Sequence, residues 1–156
     1  MTNRLCAVAI DEMGLARTTP EIEQERRVAI FDLLEDNAFA LPRAAEFPGP
    51  YRLALGISDG RLVFGLTTEA AEKVVEFHLS LGPFRQVVKD YFQICESYFE
   101  AVKRLPSSQI EAIDMARRGI HNEGARVLQE RLSGKAQVDA ATARRLFTLI
   151  CVLHWS

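Results

Sequence analysis

Six chemistry-bearing side chains crowd one stretch of this chain: Asp114, Arg117, Arg118, His121, Asn122 and Glu123. On a helix from Gln109 to about Leu132, at about 100° per residue, the apolar stripe is Ile110, Ile113, Ala116, Ile120, Val127 and Leu128. Arg117 projects inside that stripe, Asp114 and His121 lie on its edge, and Arg118 packs between those two. A buried charge costs several kcal/mol unless it is paired, so these groups must meet partners. Two chemistries fit. One is an ion-pair network joining the helix to its neighbours. The other is an anion-binding or acid–base site, with Arg117 holding a carboxylate or phosphate and His121 moving a proton. Gly119 and Gly124 weaken the middle of this helix and favour a break near Ile120 to Glu123, which would scatter the group.

Other chemistry is weaker in the sequence. His121 and Glu123 have the HxE spacing of zinc deaminases, but the second half of that signature, a PCxxC pair, is missing. His78 and His154 are distant in sequence from His121, so no metal site is expected. Cys6, Cys95 and Cys151 each sit in an apolar run and read as reduced core thiols, although Cys151 lies one helical turn before His154. Arg144 and Arg145, with Arg117 and Arg118, could make a basic patch. Arg26 falls among Ile22, Ala29, Ile30 and Leu33, which suggests an ion pair with Asp90, Glu96 or Asp114, while Glu23 and Arg27 form an i,i+4 pair. The chain has no glycine-rich phosphate loop, nucleophile elbow or HExxH, so no cofactor and no recognised catalytic residue is expected.

The elements that must position these residues are legible. Leu5 to Ile10 is a short apolar run, read as a strand. Gly14 to Thr18 reads as a loop, and Thr19, Pro20 and Glu21 signal a helix running to about Glu35. Tyr51, Leu53, Leu55 and Ile57 alternate with smaller or polar residues up to Asp59-Gly60, a preferred hairpin turn. Beyond it Leu62, Phe64 and Leu66 alternate in turn. That turn sets Ile57 opposite Leu62, Leu55 opposite Phe64 and Leu53 opposite Leu66, with all six on one face. A third strand carries Val75, Phe77 and Leu79. Gly82-Pro83 opens a helix to about Leu105, and Ser108 with Glu111 reads as a capping box for the next. Asp139 caps the last helix. Its residues Leu146, Phe147, Leu149, Ile150, Val152 and Leu153 are apolar nearly all round, so it belongs in a core or an oligomer interface.

Four stretches, VVKDYFQICESYFEA (Val87 to Ala101), PSSQIEAIDMARRGIHNEG (Pro106 to Gly124), TARRLFTLICVLHW (Thr142 to Trp155) and IEQERRVAIFDLLEDN (Ile22 to Asn37), resemble a family of small uncharacterised alphaproteobacterial proteins. The resemblance covers nearly the whole chain and brings no assigned activity. It implies a housekeeping role in the cytoplasm.

The bulk properties bound the rest. The chain has 156 residues, 48% hydrophobic and 26% charged, and a net charge of −2. That is the balance of a globular protein without the basic surplus of a nucleic-acid binder. No run approaches the ~20 apolar residues of a membrane span. The expectation is one α+β domain over residues 1–156: an antiparallel sheet of three to four strands against a bundle of helices, in the order β-α-β-β-β-α-α-α. The leading functional expectation is a cytoplasmic protein that self-associates as a homo-oligomer or binds a protein partner. The rival is a binder of a small anionic metabolite, or a small enzyme, using the Asp114–Glu123 cluster, and the third reading is a nucleic-acid-associated protein.

Overall fold

The computed structural model describes residues 3–10, 20–42 and 46–154. The expected loop at Gly14 to Thr18 and the cap at Thr19 lie outside the described residues, as does the side chain of His154. The elements run β1 (Leu5–Ile10), α1 (Pro20–Glu35), β2 (Phe39–Ala40), β3 (Tyr51–Ser58), β4 (Arg61–Thr68), β5 (Lys73–Ser80), α2 (Gly82–Arg104), α3 (Ser107–Leu132), β6 (Gln137–Val138) and α4 (Ala140–His154). This is an α+β fold. Two two-residue strands, β2 and β6, add a small antiparallel ribbon that the sequence pattern does not announce.

The main sheet has the order β1-β3-β4-β5. Its hairpin has the expected register, with Ile57 opposite Leu62, Leu55 opposite Phe64 and Leu53 opposite Leu66. Asp59 and Gly60 both have positive φ, 53° and 71°, as a two-residue turn matched to the strand twist requires. The sheet is mixed rather than purely antiparallel, because β1 runs parallel to β3. The reason is topological: α1 lies between β1 and β3 in the chain, and a helical crossover returns the chain to run the same way.

Asn37 closes the outer edge of β1. Its Oδ1 accepts from the Leu5 N–H at 2.7 Å, and its Nδ2 donates to the carbonyls of Leu5 at 3.0 Å and Leu33 at 2.7 Å. One side chain thus takes the place of a neighbouring strand and ties β1 to the end of α1.

The helices pack α2 on α3, α3 on α4 and α4 on α1. Buried residues occupy every side of α4, from Thr142 through Leu153. Its apolar circumference is therefore consumed within its own chain. Asp139 caps it as expected, accepting from the Thr142 N–H at 2.9 Å. The fully buried Thr142 Oγ1 accepts from the Ala38 N–H at 3.0 Å. Two details of α3 depart from expectation. The helix begins at Ser107 with Pro106 as its cap, because the Pro106 carbonyl accepts from the N–H groups of Gln109 and Ile110. Ser108 then sits inside the first turn and no capping box forms. The helix also runs unbroken through both glycines. Gly119 faces open space, whereas a Cβ on Gly124 would lie 2.4 Å from Phe147 Cζ. At Gly124 the Phe147 ring of α4 packs directly on the α3 backbone.

The two glycines therefore respond oppositely to the same change. Gly119→Ala stabilises by up to about 1 kcal/mol, the helix-propensity difference. Gly124→Ala costs roughly 1–3 kcal/mol, because the fully buried Phe147 ring has no room to retreat. Urea denaturation of the two variants checks both signs.

Candidate functional site

α3 carries the cluster that the sequence singles out, and its continuous helix sends those side chains in three directions. Asp114 accepts from Arg117 at 2.7 Å and from Arg118 at 2.9 Å. The Arg117 guanidinium lies 4.1 Å from the centre of the Tyr98 ring, a cation–π distance. Burial is the largest influence and works against the Arg117 charge, but the hydrogen bond and the charge of Asp114, with smaller contributions from Tyr91 and Cys95, together outweigh it and raise the pKa. Arg118 is 76% exposed, so its bond to Asp114 adds little. Asp114, Arg117 and Arg118 thus form the ion-pair arrangement, with Tyr98 as its apolar support.

Asn122 and Glu123 are exposed on another side of α3. Glu123 pairs with Arg126 at 2.6 Å and 3.0 Å, and Arg126 also bonds Glu130. On α1, Glu23 meets Arg26 at 3.4 Å and Arg27 donates to Gln24 at 3.2 Å, so the expected Glu23–Arg27 pair gives way to i,i+3 partners.

His121 turns inward. Its Nε2 is 2.8 Å from Thr148 Oγ1 on α4. Thr148 Oγ1 in turn donates to the Arg144 carbonyl at 3.3 Å, which leaves His121 Nε2–H as the donor to Thr148. The imidazole stacks on Tyr91 of α2, with centroids 5.3 Å apart at 26°, and Phe147 closes on the same Tyr91 ring edge-on. Burial in this aromatic setting pushes the His121 pKa down to about 4, and the cations Arg144, Arg117 and Arg145 push the same way. The ring is neutral at pH 7 and would carry a proton only near pH 4.

Above His121 is a cavity of about 340 Å³ to which all four helices contribute. Gln24, Glu25 and Asp32 of α1 form one wall, Arg144, Arg145 and Thr148 of α4 the other, and Tyr91 and His121 the floor. Tyr91 Oη lies 3.5 Å from both carboxylate oxygens of Glu25. Burial raises the Glu25 pKa, partly offset by Arg117 and the Tyr91 hydroxyl. Arg144 and Arg145, read in sequence as patch-mates of Arg117 and Arg118, face His121 instead. Three larger concavities among the described residues, about 570 Å³ beside β2 and β6, about 580 Å³ over the open face of the main sheet and about 430 Å³ lined by Ile10, Arg26 and Arg27, bring no imidazole, phenol and guanidiniums together.

Of the six residues singled out on α3, only His121 lines this cavity. Glu25, Tyr91 and Thr148 escaped notice. Glu25 had a signal: it stands one and two turns before Ala29 and Leu33, both buried, so it continues a stripe that enters the core. Thr148 and Tyr91 had none, since each reads as one more residue in an apolar helix. Cys95 and Cys151 are buried thiols, as expected, whereas Cys6 on the edge strand β1 is only half-buried; burial pushes Cys95 up to about 11. No group of three His, Cys, Asp or Glu side chains suited to a metal ion, and no helix long and apolar enough to cross a membrane, occurs among the described residues.

A family model described as an uncharacterised protein family (UPF0262) matches residues 2–156. A UPF0262 protein of Cereibacter sphaeroides is 74% identical over 156 residues, covering 98% of this chain and 99% of its own. Others from Roseobacter denitrificans and Paracoccus denitrificans are 70% and 71% identical, covering 98% and 97% of this chain and 98% and 95% of their own. No solved structure matches.

The buried neutral imidazole makes stability depend on pH. The unfolded chain binds the His121 proton below about pH 6.5, the folded chain only near pH 4. Stability from this group is therefore complete above pH 6.5 and is lost as pH falls to 4, by on the order of 3 kcal/mol. The raised Glu25 pKa acts in the opposite sense and is common to both proteins in a comparison with His121→Gln. Denaturation between pH 7 and pH 4.5 should show the wild type losing more stability than that variant.

Proposed function

The chain belongs to the uncharacterised protein family UPF0262, and on the geometry of its helix-lined cavity we propose that it binds a small molecule carrying a carboxylate or a phosphate. One observation carries the reading. Arg144 and Arg145 line the cavity beside a neutral imidazole, and among the described residues neither has a carboxylate within ion-pair distance. Guanidiniums match carboxylate and phosphate oxygens in geometry and charge. A volume of about 340 Å³ suits a metabolite-sized ligand. The hydroxyls of Tyr91 and Thr148 and the ring of His121 supply neutral hydrogen-bonding groups at the floor. Glu25 and Asp32 opposite would repel a ligand negative along its whole length, so a ligand with its anionic group at one end fits best.

Binding rather than turnover is the reading. Burial holds the Cys95 and Cys151 thiols protonated at neutral pH, so neither is an active nucleophile. The protein is read as one domain over residues 1–156 acting in the cytoplasm, which its three free cysteines and its lack of a membrane-crossing helix among the described residues support. Self-association or partner binding through α4 loses its support, because α4 is enclosed by its own chain. Nucleic acid has little to recommend it at a net charge of −2.

Thermal shift against inorganic phosphate and a panel of phosphorylated and carboxylate metabolites tests the proposal. At a hundredfold excess over its dissociation constant, a true ligand stabilises the wild type by about 2.7 kcal/mol. Arg144→Ala/Arg145→Ala should lose that gain, and Arg118→Ala, outside the cavity, should keep it. The reading fails if no compound stabilises the wild type more than the double variant.

A further inference from the structure

The helix-lined cavity has polar walls of opposite sign, and an anionic group on the ligand accounts for only one of them. Arg144 and Arg145 of α4 would take that group. On α1, Glu25 and Asp32 stand two helical turns apart, so both carboxyl groups reach the cavity from one side of the helix. Both residues are half-buried. Among the described residues, no arginine, lysine or histidine nitrogen lies within ion-pair distance of either.

Of the two, Glu25 is the better held. Tyr91 Oη lies 3.5 Å from both of its oxygens, and the Tyr91 ring is itself fixed against His121 and Phe147. Burial raises the Glu25 pKa, and the cation whose charge reaches it is Arg117, already bonded to Asp114. A carboxylate with one long hydroxyl contact has lone pairs left for further donors. An ammonium brings three donors and a compact positive charge, which offsets the cost of burying the carboxylate. Between Glu25 and Asp32 the same wall carries Val28 and Ala29, so the surface next to Glu25 is apolar. That suits a hydrocarbon spacer.

We infer that the ligand is a short amino acid in the broad sense: a hydrocarbon chain with an ammonium that binds Glu25 and a carboxylate or phosphate that binds Arg144 and Arg145. This inference rests on the anion-binding reading of the same cavity and deepens it. A purely anionic ligand leaves Glu25 without a cation. A dicarboxylate sets its second anion against Glu25, and a simple alkylamine leaves both guanidiniums unmet, so the two walls together select for a zwitterion.

Isothermal titration calorimetry on the full chain tests it with two series. The ω-amino carboxylates from glycine to aminohexanoate are each compared with the fatty acid and the dicarboxylate of the same chain length, and aminoalkyl phosphates with the matching alkyl phosphates. The two series tell a carboxylate ligand from a phosphate one. At the best length, the amino compound should bind roughly tenfold or more tightly than its amine-free analogue, and the dicarboxylate should bind more weakly than either. Glu25→Gln, which keeps the side-chain shape, should bring the amino compound down to the affinity of its analogue while the analogue binds as before. Asp32→Asn should keep the difference, and Arg144→Ala/Arg145→Ala should abolish binding of every compound. If amino compound and analogue bind the wild type alike, or if Glu25→Gln leaves their difference intact, this inference falls and the anion-binding reading stands. An Asp32→Asn variant that loses the difference also overturns it. If no compound in either series binds the wild type, both readings fall. Should Glu25→Gln not fold, the wild-type comparison decides alone.

Discussion

The contact between the Phe147 ring and the missing side chain of Gly124 sets the distance between α3 and α4, and most of the helical half depends on it. Only a glycine lets a fully buried aromatic ring reach the backbone of the facing helix. Because α4 comes that close, it can be surrounded by α1, α3, part of α2 and the sheet, and bury residues on every side. An apolar helix that could have been an interface is instead the axis of the core. The free energy of this arrangement comes from area removed from water and from close packing, and both fall steeply if the helices separate.

The same approach creates the polar site. His121 lies one turn before Gly124 and Thr148 lies directly after Phe147, so helices held together at Gly124 bring the imidazole and hydroxyl to 2.8 Å. The imidazole is then stacked on Tyr91 and kept neutral by burial and by cations around it. A neutral ring donating one hydrogen bond in an aromatic setting costs far less than an imidazolium there would. Charge is left to the upper walls, where guanidiniums of α4 face carboxylates of α1 across the cavity. Arg145 donates to the Ala141 carbonyl at 3.3 Å, and among the described residues neither Arg144 nor Arg145 has a carboxylate within ion-pair distance.

The sheet half solves a different problem. β1 is added parallel through the α1 crossover, and its outer edge is finished by the amide of Asn37, a side chain with the donor and acceptor of a peptide group.

Sequence alone determined what depends on local periodicity and local stereochemistry. The β3–β4 register was legible because Asp59-Gly60 and the alternation of apolar residues impose it independently. The Asp139 cap was legible because it needs only residues three apart. The burial of α4 was legible as an apolar circumference, though not whose chain would bury it. Tertiary structure alone decided the rest. Whether Gly124 breaks a helix or seats a ring depends on Phe147, 23 residues away. Whether β1 pairs parallel depends on where α1 returns the chain. Which arginines belong with His121 depends on helix rotation and crossing: proximity in sequence suggested Arg117 and Arg118, but packing turned those to Asp114 and brought Arg144 and Arg145 instead. Glu25, Tyr91 and Thr148 join the site from three other helices, and no periodicity within one helix encodes contacts made between helices.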